Sequence, residues 1–336
     1  MNNIHTDSRQ LALGNWLKTT LQHSEFTLTV ASADASFRRY FRVHLADKTL
    51  IAMDAPPTHE NCEPFVRIAK LFGDAGMHVP EVIAQDLVQG FLLLSDLGDV
   101  TYLSQLNEIT APALYHDANM ALIKLQLASK PDVLPNYDEA LLTREMQLFP
   151  DWYITKHLNV TLDDKQQQVL QNTFALLNKN ILSQGQVYVH RDYHSRNLML
   201  CHNNPGVLDF QDAVFGAITY DLVSLLRDAY ISWDEEKIID WLVRYWQSAR
   251  QQGLPVPADF SEFYRDFEYT GAQRHIKILG IFARLYHRDG KEGYLKDMPL
   301  VMHYLHKVCE RYIELKPLLR LLDVLENKQA QVGYTF

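Results

Sequence analysis

Apolar residues recur at two different periods along this chain. Residues 8–22 carry Leu11, Trp16, Leu17 and Leu21 at mostly helical spacing, which predicts an amphipathic packing helix. The pattern then changes to that of strands, over residues 26–30, 40–45 and 49–53. A helical pattern follows at 61–75, with Phe65, Ile68, Ala69, Leu71 and Phe72 apolar, and then an apolar strand from Phe91 that ends in Ser95, Asp96, Leu97 and Gly98. Beyond it helices dominate. Residues 102–129 read as core helix closed by Pro131, 137–157 as a mixed polar and aromatic stretch, and 163–182 as a further helix. Strand and turn signals return at 187–212, followed by a short loop at 213–216, a helix at 219–228 and a helical segment across 268–290.

Length and composition narrow the field without choosing a function. The 336 residues suffice for two domains or lobes, and 47% hydrophobic with 22% charged residues is ordinary globular composition. A formal charge of −9 argues against a nucleic-acid surface built on bulk electrostatics. No apolar run approaches membrane-spanning length and the N-terminal stretch has no signal-peptide core, so no membrane association is expected. Cys62, Cys201 and Cys309 are few and far apart, which points to a reducing cytoplasm and to neither a disulfide framework nor a close-spaced zinc site. No protein partner is indicated.

The chemistry concentrates in residues 187–212. An apolar strand, Val187 to Val189, leads into His190-Arg191-Asp192, and Asn197 follows five residues after Asp192. Leu198 to Leu200 and Val207-Leu208 are apolar runs joined by Asn, Pro and Gly turn formers, so a hairpin is expected to return Asp209 beside Asn197. A carboxylate plus an amide oxygen suit Mg²⁺ better than His or Cys would, and Asp192 could orient an acceptor hydroxyl and accept its proton. That combination points to phosphoryl transfer. The competing reading is a hairpin whose Asp and Asn merely cap turns.

His190-x-Asp192-x-x-x-x-Asn197, then Asp209-Phe210 twelve residues after the Asn, resembles the catalytic and metal loops of the protein-kinase-like superfamily. That resemblance implies an α+β, two-lobed fold, with a small antiparallel-sheet N-terminal nucleotide-binding lobe at 1–97 and a larger, mostly helical catalytic and substrate lobe at 98–336. It implies ATP and Mg²⁺ as cofactors, Asp192 as the catalytic residue, and Asn197 and Asp209 as metal ligands. Ser95, Asp96 and Leu97 would form the interlobe hinge that holds adenine. His190 and Asp221 would brace the catalytic loop, although Asp221 also suits an N-terminal helix cap.

Small polar residues at 31–36, among them Ser32, Asp34 and Ser36, occupy the nucleotide-covering position, where their backbone N–H groups could approach phosphates. A plain hairpin turn reads equally well, because the segment contains no glycine. Met53 stands near the place where kinases of this superfamily carry an ATP-binding lysine. Arg38, Arg39 and Arg42 lie close by in sequence, and one of them is expected to supply the missing charge, Arg38 and Arg42 foremost; solvated strand arginines are the alternative.

His194 and the Asp209-Phe210-Gln211-Asp212 run depart from protein-kinase usage and favour a small-molecule acceptor. The whole resembles the aminoglycoside phosphotransferase, or choline-kinase-like, branch. More narrowly, DASFRRYFRV, MDAPP, HRDYHSRNLM, DFQDAVFG and QRHIKILGIFARL are similar to bacterial anomeric kinases of cell-wall amino sugars. This implies ATP-dependent phosphorylation of N-acetylmuramate and/or N-acetylglucosamine at the C1 hydroxyl in peptidoglycan recycling. Arg274, Lys277, Arg284 and Arg288 fall on one helical face, either a solvated basic face or a cationic wall for an anionic sugar. Arg274 and Lys277 are accordingly substrate-binding candidates, and Asp151 is a third because aromatics beside carboxylates in the 137–157 stretch could flank a sugar, a core or surface helix being the alternative there. Two alternatives stay open: a phosphotransferase for aminoglycosides or other hydroxyl compounds, and a nucleotide-binding pseudokinase that acts by docking.

Overall fold

Period-two alternation gives the first sheet two dissimilar faces. In the computed structural model, which describes residues 8–22, 25–33 and 37–326 (for 32 and 33, the backbone only), β1 (Thr27–Ala33), β2 (Arg39–His44), β3 (Thr49–Asp54), β4 (Val82–Asp86) and β5 (Phe91–Ser95) form one antiparallel sheet ordered β1-β2-β3-β5-β4. Phe41 and Val43 of β2, Leu50 and Ala52 of β3, and Phe91 and Leu93 of β5 point to one side. There they pack against Leu13 and Leu17, one helical turn apart on α1 (Ser8–Leu21). Each of these buried Leu, Val and Phe side chains contributes about 1.5–3 kcal/mol, and the methyl of Ala52 less. The alternate residues, Tyr40, Arg42, Ile51 and Leu94, face the other way and line a cavity.

The chain continues through α2 (Glu63–Asp74), α3 (Tyr102–Gln105), α4 (Ala111–Leu127), α5 (Glu139–Met146), a π-helix (Phe149–His157), α6 (Asp164–Ser183) and β6 (Gln186–Val189). A hairpin of β7 (Leu198–Met199) and β8 (Gly206–Val207) follows, then β9 (Val214–Ala217), α7 (Tyr220–Leu226), α8 (Glu235–Gln251), α9 (Phe260–Asp289), α10 (Met298–Arg311) and α11 (Lys316–Leu325). The helical stretch expected over 102–129 divides in two. Asn107 accepts from the amide of Ile109 at 2.9 Å and Thr110 donates to the carbonyl of Gln105 at 2.7 Å, closing a turn that competes with the helix ladder. The loop expected at 213–216 is largely strand: Val214 to Ala217 pair antiparallel with β6, because a β-branched and aromatic pair has a ready edge there.

Two compact units divide the chain. The first comprises the described residues up to Leu125 together with Arg196–Asp212, so it holds the first sheet and the β7–β8 hairpin; the second comprises Gln126–Ser195 and the described residues from Ala213 onward. Within the second unit, α9 runs for 30 residues and is buried almost continuously from Phe267 to Gly280, charged residues included. Gly280 permits this: a Cβ there would lie 2.4 Å from the carbonyl carbon of Leu148, just ahead of the π-helix. No described helix is long and apolar enough to cross a membrane.

Candidate functional site

In the first unit the short hairpin brings Asn197 and Asp209 together. Leu198 pairs with Val207 and Met199 with Gly206, and the amide of Leu208 donates to the carbonyl of Asn197 at 2.9 Å. Asn197 Nδ2 lies 3.4 Å from Asp209 Oδ2, and Gln211 Nε2 donates to the other carboxylate oxygen at 2.8 Å. Asp209 has φ +62°, a left-handed conformation uncommon for residues other than glycine. Phe210 is fully buried, its ring centroid 4.9 Å from Phe65 and 6.0 Å from Phe72 on α2. That anchor holds the left-handed turn in place.

The cavity facing these residues measures about 310 Å³. Ile51, Leu94, Leu97, Met199 and Leu208 make its walls apolar, while Ser95, Asp96, Asn197 and Asp209 supply a few polar groups, the composition of a small-molecule site. Arg42 Nε donates to Asp96 Oδ2 at 2.6 Å, and its Nη2 reaches the carbonyl of Gly98 at 2.9 Å. Burial works to raise the Asp96 pKa, but bonds from Arg42 and the Gly98 amide prevail and hold it below the ordinary carboxylate value. Leu97 presses on the hairpin, since a Cβ at Gly206 would come within 3.0 Å of its Cδ1.

In the second unit Asp192 follows β6 on a loop fastened by Asp221. The two carboxylate oxygens of Asp221 accept from the amides of His190, at 2.7 Å, and Arg191, at 3.0 Å. Burial pushes the Asp221 pKa up to about 7 against the pull of those amides and of Arg274. His190 Nδ1 lies 3.2 Å from the Asp192 amide, and Asp228 accepts from the Ser195 amide at 3.0 Å, securing the far end of the loop. Arg191 has φ +77°, so the loop turns sharply just before Asp192.

Three cations surround that turn. Arg274 Nη1 donates to the Arg191 carbonyl at 2.6 Å, and its Nη2 lies 3.5 Å from Asp192 Oδ1. Lys277 Nζ lies 3.0 Å from Glu145 Oε1, the oxygen that also takes the Arg191 guanidinium, and Tyr137 donates to Glu145 Oε2. Tyr220 joins the set, 3.0 Å from the Tyr137 hydroxyl and 3.2 Å from Lys277. Arg274 and Lys277 are only 4% exposed, whereas the Asp192 side chain is 41% exposed. Desolvation works to raise the Asp192 pKa, yet the charges of Lys277, Arg274, His194 and Arg191 outweigh it and hold the group far below the usual carboxylate range. An ionised, partly exposed carboxylate on a braced loop can receive a hydroxyl proton; two oxygen ligands in a cavity can hold a hard cation.

The phosphotransferase enzyme family matches residues 27–260, a span that includes Asp192, Asn197 and Asp209. The chain belongs to the phosphotransferase enzyme family. This phosphotransferase is 48% identical to an N-acetylmuramate/N-acetylglucosamine kinase of Neisseria meningitidis serogroup B, over 98% of its own length and 99% of the relative's. It is 50% identical to a Pseudomonas aeruginosa kinase of the same name, covering 89% and 88% of the two chains. Among solved structures, ADP-bound aminoglycoside phosphotransferase APH(2'')-Ib superposes with TM-score 0.57 at 16% identity, over 88% of this chain and 98% of that one. Choline kinase LicA of Streptococcus pneumoniae superposes with TM-score 0.64 at 11% identity, over 90% and 100%. The α+β, kinase-like fold read from the sequence is thereby shared.

The remaining sequence candidates in this phosphotransferase fall in varied settings. Asp34 and Ser36 lie outside the described residues, and Ser32 is described only as a backbone position of β1 opposite Tyr40. Arg38 pairs with Glu60 at 3.0 Å, and Arg39 with the buried Asp54. Met53 is fully buried. Asp151 is exposed on the π-helix and accepts from Gln147 at 2.9 Å. Sequence reasoning missed Glu145, Tyr137 and Tyr220, which no local spacing connects to Asp192. It also missed Arg196, a basic residue directly before Asn197 that lines the cavity.

Proposed function

We propose that this phosphotransferase is an ATP-dependent kinase that phosphorylates the anomeric C1 hydroxyl of N-acetylmuramate and/or N-acetylglucosamine. The observation that carries the reading is the pairing of an ionised Asp192, set among buried cations, with two relatives near 50% identity named as kinases of those sugars. Asp192 accepts a hydrogen bond from the acceptor hydroxyl and takes its proton late, since a carboxylate held so acidic is a weak base before bond formation.

The nucleotide occupies the cavity of the first unit, with the base against Ile51, Leu94 and Leu97 and the backbone of Ser95 to Leu97. Asn197 and Asp209 would hold Mg²⁺ through the amide and carboxylate oxygens, an assignment supported by the hairpin that places both side chains on the wall of that cavity. Bound there, the ion would neutralise phosphate charge. Residues 1–97 serve as the nucleotide lobe in this division of roles and 98–336 as the catalytic and substrate lobe. Arg274 and Lys277 bring positive charge to the surroundings of Asp192, which favours an acceptor bearing a carboxylate, as N-acetylmuramate does, over a polycationic aminoglycoside.

Coupled ATP-consumption assays with both amino sugars, aminoglycosides and choline-like alcohols test the reading, with the product's phosphate located by ³¹P NMR. Turnover confined to the amino sugars, with phosphate on C1, is expected. Turnover only with aminoglycosides or choline-like alcohols would overturn the acceptor, and ATP binding without turnover on any acceptor would favour a docking pseudokinase.

A further inference from the structure

Glu145 is fixed in the second unit before any charge is considered. Asp138 caps α5 by accepting from the Leu141 amide at 2.8 Å, and Asn178 of α6 donates to Thr143 Oγ1 at 2.7 Å. Leu142 and Met146, on either side of Glu145 in sequence, are fully buried, so the carboxylate has little freedom to move. Its oxygens take donors from three side chains: Oε1 meets the Arg191 guanidinium and, at 3.0 Å, Lys277 Nζ, while Oε2 accepts from Tyr137. Burial works to raise the Glu145 pKa, but Lys277 and then Arg191 outweigh it and hold the group below the ordinary carboxylate value. Glu145 is therefore a buried negative charge at neutral pH.

The two cations it holds also act on Asp192. Lys277 is the strongest of the positive charges that keep Asp192 ionised, and Arg191 directly precedes it in the chain. How much of that charge is felt at Asp192 depends on how much of it Glu145 offsets, since opposite charges a few ångströms apart largely cancel when seen from farther away. The two sugars of the proposed reaction differ in just this respect, because N-acetylmuramate carries a carboxylate and N-acetylglucosamine does not. We infer that Glu145 is a specificity-determining residue, the counter-charge that moderates the positive field around Asp192 and so lets a neutral amino sugar compete with an anionic one. The inference rests on the proposed acceptor class. Glu145 acts through Arg191 and Lys277 rather than by touching the acceptor. Removing a carboxylate that merely held the fold would lower turnover of both sugars in proportion, whereas removing a counter-charge alters their ratio.

The ratio of kcat/KM for N-acetylmuramate to kcat/KM for N-acetylglucosamine, at saturating Mg-ATP, reads this directly. Glu145→Gln keeps the side-chain length and removes the charge, and is expected to raise the ratio about fivefold or more over wild type. Glu145→Asp retains the charge and should leave the ratio within about twofold, whatever it does to the rates themselves. Because taking one member from a buried ion pair is strongly destabilising, the same change is also made on Lys277→Met, where the pair is replaced as a whole. Adding Glu145→Gln to Lys277→Met should again raise the ratio by a similar factor, with thermal melting to verify folding of every variant. A ratio that stays within about twofold of its parent while both sugars fall together would overturn the assignment, as would a ratio that falls. A wild-type chain that turns over neither sugar would instead remove the acceptor class, and the role of Glu145 with it.

Discussion

Arg274 Nη1 donates to the carbonyl oxygen of Arg191 at 2.6 Å, gripping the backbone one residue before the catalytic candidate Asp192. The contact fixes a left-handed turn and at the same time brings a second cation to the Asp192 carboxylate, 3.5 Å away. Arg274→Ala should therefore lower kcat by about a hundredfold through misplacement of the carboxylate, with the KM for ATP little changed. Arg274→Lys should recover only part, since an ammonium cannot serve the carbonyl and the carboxylate together. Loss of the cation also raises the Asp192 pKa toward the ordinary carboxylate value. The acidic limb of the pH–rate profile should accordingly move to higher pH in Arg274→Ala.

Arg42 sits on the rim of the first-unit cavity, bonded to Asp96 and the Gly98 carbonyl. Removing it should loosen the segment proposed to hold the base. Arg42→Ala is thus expected to weaken adenosine and Mg-ATP by similar factors in calorimetry. A selective loss of Mg-ATP would place Arg42 on the phosphates instead.

Asp221 makes stability depend on pH in a stated direction. Its pKa of about 7 lies above the value near 3.9 of an unfolded aspartate, so the folded state holds the proton more tightly. The associated stability is present in full below about pH 4 and is lost as pH rises through about 7. His275 works the other way: burial, then Arg227, bring its pKa down to about 3, so its contribution is present above its ordinary value near 6.5 and is lost as pH falls. The two slopes oppose each other between about pH 4 and 6.5, so the informative quantity is the difference between wild type and Asp221→Asn. Urea unfolding at a series of pH values should show the wild-type advantage over Asp221→Asn shrinking from pH 5 toward pH 8. A constant or growing advantage would contradict the account.

How far the sequence reveals this enzyme depends on sequence distance. Asp192, Asn197 and Asp209 are legible because one strand and one hairpin carry them, and turn-forming residues fix the spacing. Asp221 is legible in the same way, at the first turn of the next helix. Glu145 is not: it takes the Arg191 guanidinium across 46 residues, and only the packing of α5, α7 and α9 within the second unit brings it there. Helical spacing correctly puts Arg274 and Lys277 on one face, but charge suggests solvent, and nothing local indicates that Tyr220 and Glu145 cover that face. The strand at Val214 to Ala217 escapes notice for a related reason, since four residues beside a glycine acquire their identity from the partner β6.

The central claim, that Asp192 orients and deprotonates the acceptor hydroxyl, is tested most directly by the turnover of Asp192→Asn measured beside its nucleotide affinity. The asparagine preserves shape and removes the proton acceptor, so kcat with the preferred amino sugar should fall by about a thousandfold or more, while the Kd for Mg-ATP stays within about twofold of wild type. Turnover close to wild type in a folded Asp192→Asn protein would contradict the account.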